Sequence, residues 1–165
     1  MGKIYISEIT REDLPYIHWV ENLEEYWHIN EHPGPYTLEE ITDCFFPSRI
    51  YPLHKQQRWI IFKSETKSPL GILDAFNYNE SNQSIGIGIL IPNKNDHQKG
   101  YGKEAIRLLI KKLTFDNHIS KVFALIDKEN HSSISLFEKS GFGYQREEMC
   151  MNRIVNRYEK SLQKK

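Results

Sequence analysis

His97-Gln98-Lys99-Gly100-Tyr101-Gly102-Lys103-Glu104-Ala105 decides how this chain is read. An apolar run, Ile85-Gly86-Ile87-Gly88-Ile89-Leu90-Ile91, precedes it, and a helix-like segment from Ala105 to Leu113 follows. Strand, glycine-containing basic loop and helix N-terminus in that order form an anion cradle. The first helical turn has N–H groups without intrahelical partners, and glycine lets a ligand approach the main chain closely. A diphosphate is the expected occupant. A Gly-x-Gly before a helix is weak evidence alone, so the rest of the chain must identify the phosphate's owner.

At 165 residues, 39% hydrophobic and 27% charged, the chain has the length and composition of one globular domain, taken as residues 1–165. Its formal net charge is +0, which gives a nucleic-acid partner no electrostatic support. Residues 1–40 carry nine acidic side chains against Lys3 and Arg11, a net −7 that leaves +7 for the remainder. An acidic front and a basic back suit a cationic substrate on one side and a phosphate-bearing cofactor on the other; a plain solvated helix face explains the front acids equally well. The basic residues near the C-terminus (Arg153, Arg157, Lys160, Lys164, Lys165) read as facing solvent. Cys44 and Cys150 lack metal-ligand spacing, so no metal is expected. The first residues lack the apolar core of a signal peptide, and no stretch is long enough to span a membrane. The expectation is a cytoplasmic protein with no membrane partner.

Working outward, Lys3 to Thr10 alternates as a strand, and Thr10 with Asp13 opens a helix that carries Pro15 in its first turn and runs to about Glu21. His32-Pro33-Gly34-Pro35 is a loop, and Thr37 opens a second helix ending near Pro47. Strands are expected over 57–63, 70–77 and 83–91, with Asn79-Glu80-Ser81-Asn82 joining the last two. After the long helix come a buried strand at 121–126, a short helix from Ser132 to Lys139 stopped by Gly141, and two closing strands within 149–162. The order β-α-α-β-β-β-α-β-α-β-β defines a mixed α/β (α+β) layer fold.

A second motif lies at Asn130-His131-Ser132-Ser133-Ile134-Ser135-Leu136-Phe137-Glu138-Lys139-Ser140-Gly141-Phe142. By itself it is a small amphipathic helix with Asn130 as N-cap. Together with the first loop it resembles the GNAT N-acetyltransferase superfamily: residues 97–102 match that family's Q/R-x-x-G-x-G/A acyl-CoA loop, and 130–142 match its N…LYEK-x-GF segment. The look is closest to the branch that acetylates ribosomal-protein N-termini or polyamines. The resemblance spans nearly the whole chain and implies a single GNAT-like domain. Its central sheet would be mixed but mostly antiparallel, with six to seven strands flanked by about four helices.

The resemblance further implies an acetyl-CoA-dependent N-acetyltransferase. The acetyl group would pass to a primary amine of a small cationic molecule, or to a peptide or protein N-terminus, by direct attack. The coenzyme A diphosphate would sit on His97, Gln98, Lys99, Gly100, Tyr101, Gly102 and Lys103, and the pantetheine arm would lie along Ile89, Leu90 and Ile91 with Asn130 and Phe137 nearby. Gly86 and Gly88 would permit a bulge or opening of that strand. Glu24, Tyr26, Trp27 and Glu31 form the acceptor segment, where aromatic and acidic groups suit an organic cation. Edge-strand pairing would allow a homodimer.

Three positions depart from the family pattern. His97 replaces Arg or Gln, which would make cofactor affinity pH-dependent, and Gln98 replaces a frequent Gly. Phe137 replaces the tyrosine proposed to protonate the departing thiolate, and it has no proton to give. Strand 83–91 also lacks the usual carboxylate, leaving Asp74, Glu31 and His28 as base candidates. The alternative is a non-catalytic acyl-CoA-binding sensor on the same scaffold.

Overall fold

The computed structural model describes residues 2–29, 33–46, 56–115 and 119–162. The chain divides into two compact units, Met1–Ser7 with Lys55–Lys165 and, inserted between them in sequence, Glu8–His54.

The larger unit is built on a seven-stranded sheet in the order β1-β2-β3-β4-β5-β7-β6. Its strands are β1 (Ile4–Glu8), β2 (Gln57–Lys63), β3 (Pro69–Asn79), β4 (Ser84–Leu90), β5 (Lys121–Ile126), β6 (Gly143–Cys150) and β7 (Arg153–Ser161). The β2–β3, β3–β4, β5–β7 and β6–β7 ladders are antiparallel, and β4–β5 is parallel. Helix α3 (Tyr101–Phe115) connects β4 to β5, and α4 (His131–Lys139) connects β5 to β6. On α3, Ala105, Ile106, Leu109 and Leu113 are buried, a spacing that puts all four on one helical face. They enter one core with Leu73, Ala75, Ile87, Val122 and Phe137. Burying each large aliphatic side chain of this kind contributes roughly 1.5–3 kcal/mol, so this face holds α3 on the sheet.

The smaller unit holds α1 (Leu14–Glu21) and α2 (Leu38–Phe45). A 3-10 turn, Arg11–Asp13, precedes α1, and Thr10 and Asp13 form the expected capping box on that turn. Pro15 falls at the start of α1, where its missing N–H costs no intrahelical bond. Thr37 and Glu40 form a second capping box at α2, the Thr37 hydroxyl accepting from the Glu40 N–H at 3.1 Å. Pro47, the expected end of that helix, lies outside the described residues.

Two expectations need correction. The strand expected to begin near Met149 begins at Gly143, and Met151 and Asn152 form the turn to β7 with φ of 47° and 60°. The C-terminal cations do not simply face solvent. Arg157 is buried, with its guanidinium 3.8 Å from the centre of the Phe123 ring. Arg153 makes bonds of 2.8 and 2.7 Å to Asp127, while Lys164 and Lys165 lie outside the described residues. No helix among the described residues is long and apolar enough to cross a membrane.

Candidate acyl-donor site

The site arises where the two parallel strands part. Among the described residues the β4–β5 ladder holds Ser84↔Lys121, Ile85↔Val122 and Gly86↔Phe123, and ends there. Beyond it, Ile87 to Leu90 keep their register with β3, and Ala124 to Ile126 keep theirs with β7. The main-chain edge of β4 on the side away from β3 is thereby opened over its last turns of pleat. The opening lies at the carboxyl ends of parallel strands, where α/β sheets hold their ligands. The β3–β4 register shifts between Phe76 and Asn79, so the ladder's irregularity begins at the Phe76↔Gly86 pair, with the extra residue on β3, while Gly88 lies in regular register opposite Asp74. Gly86 also has a packing reason: a Cβ there would meet the Phe76 ring at 2.4 Å.

The loop after β4 ends in the N-terminus of α3. Asn93 and the 3-10 turn Lys94–Asp96 fold the chain back, the Asn93 side chain accepting from the Asn95 N–H at 3.0 Å. Gln98 and Gly100 both adopt left-handed backbone, with φ of 60° and 84°. The first helical bond runs from the Glu104 N–H to the Gly100 carbonyl at 3.1 Å, so the N–H groups of 101–103 are the outward-facing ones. A Cβ on Gly100 would meet nothing within 4 Å, which places open space directly against this main chain. Gly102 serves packing: a Cβ there would lie 3.0 Å from Leu136 on α4. An open cradle of helix N–H groups, next to an opened strand edge, fits a diphosphate carrying an extended, hydrogen-bonding arm.

Charged groups brace the loop from below. Asp96 is buried and accepts from Lys63 Nζ at 2.9 Å, with Lys99 Nζ at 3.5 Å. The hydrogen bond from Lys63 holds the Asp96 carboxyl below the usual carboxylate range, and the same bond raises Lys63. His97 donates from Nε2 to the Ile91 carbonyl at 2.7 Å. Its neutral Nε2–H form and its imidazolium both make that bond, and the Ile91 carbonyl is thereby engaged within the loop. Tyr101 is half-buried and packs against the core, so what it turns outward is its N–H. Lys103 is exposed.

The candidates on α4 divide. Asn130 caps the helix, its Oδ1 accepting from the Ser133 N–H at 3.1 Å. Phe137 is 2% exposed and packs edge-on to Phe142 at 5.0 Å. Asp74, on β3 opposite Gly88, has both oxygens engaged by Arg58: Nε to Oδ1 at 2.6 Å and Nη2 to Oδ2 at 2.7 Å.

A buried charge belt went unnoticed in the sequence. Arg58 and Arg157 both lie on central strands and are both under 10% exposed. Arg157 Nε donates to Glu159 at 2.8 Å and its Nη1 to Glu148 at 3.2 Å. Burial pushes the Glu159 carboxyl up, but hydrogen bonds from Arg157 and Lys121 outweigh it and hold the group below its ordinary value. The available signal was an arginine inside each apolar strand, a placement that requires a partner.

In the smaller unit, Glu24, Tyr26, Trp27 and His28 share the 3-10 turn Glu24–Ile29. Glu24 and His28 are exposed, and Tyr26 is half-buried. Burial, then the charge of Glu25, raises the Tyr26 hydroxyl above its usual value. Trp27 Nε1 donates to the Glu21 carbonyl at 3.1 Å, and a Cβ on Gly34 would lie 2.7 Å from its ring. Glu31 lies outside the described residues.

An opened parallel strand pair over a helix N-terminal cradle defines an acyl-CoA-binding transferase scaffold. Comparison with known proteins agrees: residues 3–143 match the model of the acetyltransferase (GNAT) domain. The chain belongs to the GNAT acetyltransferase family. No curated protein matches it by sequence. Among solved structures it is similar to spermidine N-acetyltransferase from Vibrio cholerae in complex with CoA and spermine. The TM-score is 0.81 and the identity 18%, with 96% of this chain and 95% of that chain covered. It is also similar to the aminoglycoside acetyltransferase AAC(6')-Ib in complex with ribostamycin and coenzyme A, at TM-score 0.82 and 19% identity over 97% and 94% of the two chains. A domain from Methanocaldococcus jannaschii is 25% identical, with TM-score 0.76 over 98% of this chain and 100% of that one.

Proposed function

We propose that the 165 residues act as one acetyl-CoA-dependent N-acetyltransferase domain, whose acceptor is a primary amine on a small organic cation. One observation carries this reading: the β4–β5 ladder stops at Gly86↔Phe123 beside the N-terminus of α3, leaving a strand edge and a phosphate cradle in one place. When bound, acetyl-CoA supplies a thioester that an amine attacks directly, releasing the free thiol. The chain's own groups divide the remaining work. The N–H groups at 101–103 and Gly100 receive the diphosphate, while Lys99 and Lys103 add positive charge. The free edge of Ile87–Leu90 pairs with the extended arm and turns N–H groups toward the acyl carbonyl. Asn130 keeps its amide N–H groups for the same arm while its Oδ1 caps α4. Asp74 has both oxygens on Arg58, a pair that sums to zero, which leaves the amine's proton to solvent water.

The acidic front segment with Glu24, Tyr26 and Trp27 supports a cationic acceptor, as do the spermine and ribostamycin in the similar structures. A homodimer would pair along β6, the strand at one end of the sheet. A cytoplasmic setting, where acetyl-CoA is available, fits the reading. A second reading, an acyl-CoA sensor without turnover, is favoured by the engaged oxygens of Asp74 and the buried, proton-less ring of Phe137. Free-thiol release from acetyl-CoA, measured against polyamines, aminoglycosides, amino sugars and N-terminal peptides, separates the two. Release with polyamines or aminoglycosides supports the enzyme and its cationic acceptor. Tight acetyl-CoA binding with silence across the panel supports the sensor, and absence of binding overturns both.

A further inference from the structure

A buried arginine stands beside the point where the strands part, and neither the cradle nor the open strand edge uses it. Arg157 lies on the face of the sheet opposite the α3 core, since its neighbour Tyr158 enters that core. Phe76 and Phe123 share the Arg157 face, because they alternate with the core residues Ala75, Val122 and Ala124. Where β4 reaches the opening, the residues it places on that face are Gly86 and Gly88. The Phe76 ring therefore passes over Gly86, where a Cβ would lie 2.4 Å from it, and meets the Phe123 ring edge-on at 5.9 Å. The Arg157 guanidinium covers Phe123 at 3.8 Å. Its Nε donates to Glu159 at 2.8 Å and its Nη1 to Glu148 at 3.2 Å, which keeps its plane on the ring. The stack of Phe76, Phe123 and Arg157 thus spans β3, β5 and β7 across the last rung of the parallel ladder, Gly86↔Phe123.

We propose that Arg157 is a positioning residue for acyl transfer: by pinning Phe123 it fixes the rung at which β4 and β5 part, and with it the depth to which the thioester enters. The inference rests on the acetyl-CoA reading above. β4 runs from Ser84 toward Leu90, and the loop that follows leads to the cradle at the start of α3. An arm that starts at the cradle and follows the free edge therefore ends at Ile87, with its reacting carbonyl against the last rung. A terminal rung is the part of a ladder that opens most easily. A desolvated cation held over the ring opposes that opening. Fraying by one rung would lengthen the free edge and let the carbonyl slide, while the cradle and the Ile87–Leu90 edge stayed as they are. Arg157 therefore acts on the alignment of the donor and not on its affinity.

The test compares the wild type, Arg157→Lys, Phe123→Leu and the double variant. Arg157→Lys keeps a cation for Glu148 and Glu159 but loses the planar group that covers the ring. In the ligand-free proteins, amide hydrogen exchange at Gly86, Ile87, Phe123 and Ala124 should be about tenfold faster in each single variant, with the β2–β3 amides unchanged. With an amine that is turned over, kcat should fall about tenfold while the calorimetric Kd for acetyl-CoA stays within about twofold. The double variant should fall no further than Phe123→Leu, because Arg157 acts through that ring. Exchange that rises equally across the whole sheet marks a merely structural arginine and overturns the assignment. So does unchanged exchange at the ladder end, or a wild-type kcat in Arg157→Lys. A folded wild type that does not bind acetyl-CoA overturns the reading on which the proposal rests. Exchange without ligand then still decides whether Arg157 pins the rung, so the two failures are distinguishable.

Discussion

Gly100 and Gly102 stand two residues apart, and substitution should damage them in opposite ways. At Gly100 the backbone is left-handed, with φ of 84°, and an added Cβ has nothing within 4 Å. Gly100→Ala should therefore cost folding only the left-handed penalty, about 1–2 kcal/mol, which lowers Tm by a few degrees in a domain of this size. The same Cβ projects into the space reserved for the diphosphate, and Gly100→Glu adds a like charge there. Losing two charge-assisted main-chain contacts, each worth about 1.5–3 kcal/mol, weakens acetyl-CoA by about a hundredfold or more. At Gly102 an added Cβ would lie 3.0 Å from Leu136, so Gly102→Ala should strain the α3–α4 packing by about 1–3 kcal/mol. Its acetyl-CoA affinity should be affected far less than that of Gly100→Glu. Thermal unfolding and calorimetric titration of the three variants provide both axes. Gly100→Glu with wild-type affinity would remove the loop from the site and refute the reasoning.

Further outcomes follow from the brace and from α4. Asp96→Asn should destabilise the fold by about 1–3 kcal/mol at neutral pH, because Lys63 and Lys99 lose the carboxylate they share. Since the Asp96 carboxyl is depressed in the folded state, its contribution is present above the unfolded value of about 3.9 and disappears as pH falls through the folded one. Urea titrations of wild type and Asp96→Asn should accordingly converge in acid; a constant gap across pH contradicts this. Phe137→Tyr should bury a hydroxyl at a site only 2% exposed, lowering stability by about 1–3 kcal/mol without raising turnover. Faster thiol release at unchanged stability would show instead that the hydroxyl reaches the departing sulfur.

Much of the frame could be read from the chain because local patterns and tertiary contacts agree. Gln57–Lys63 is an apolar run bounded by polar residues, and it is β2 without adjustment. The α3 and α4 helices follow from their caps and spacing, and the seven-stranded, largely antiparallel sheet is the one the family resemblance implies. The early part of β6 gave no signal, for a physical reason: Gly143 to Glu147 lie on the sheet edge and are all exposed, so no face of the strand selects hydrophobic residues. The resemblance allowed an opening of β4, but the residue at which its ladder with β5 stops was hidden, since that point depends on how partner strands diverge and not on the composition of either. Arg157 reads as a surface charge, and Arg58 gives no sign of its role, because sequence places a cation on a strand without revealing the carboxylate or ring facing it. Asp96 carries no sequence signal of its role, because its partner Lys63 lies 33 positions away.

The most direct test of the site is two-dimensional NMR of the backbone amides during titration with acetyl-CoA. The largest shifts are expected in two separated stretches, Ile87–Leu90 on the opened edge of β4 and Gln98–Lys103 at the start of α3. Saturable binding that leaves both stretches unmoved, with its shifts confined to other strands or loops, would contradict the placement of the acetyl donor.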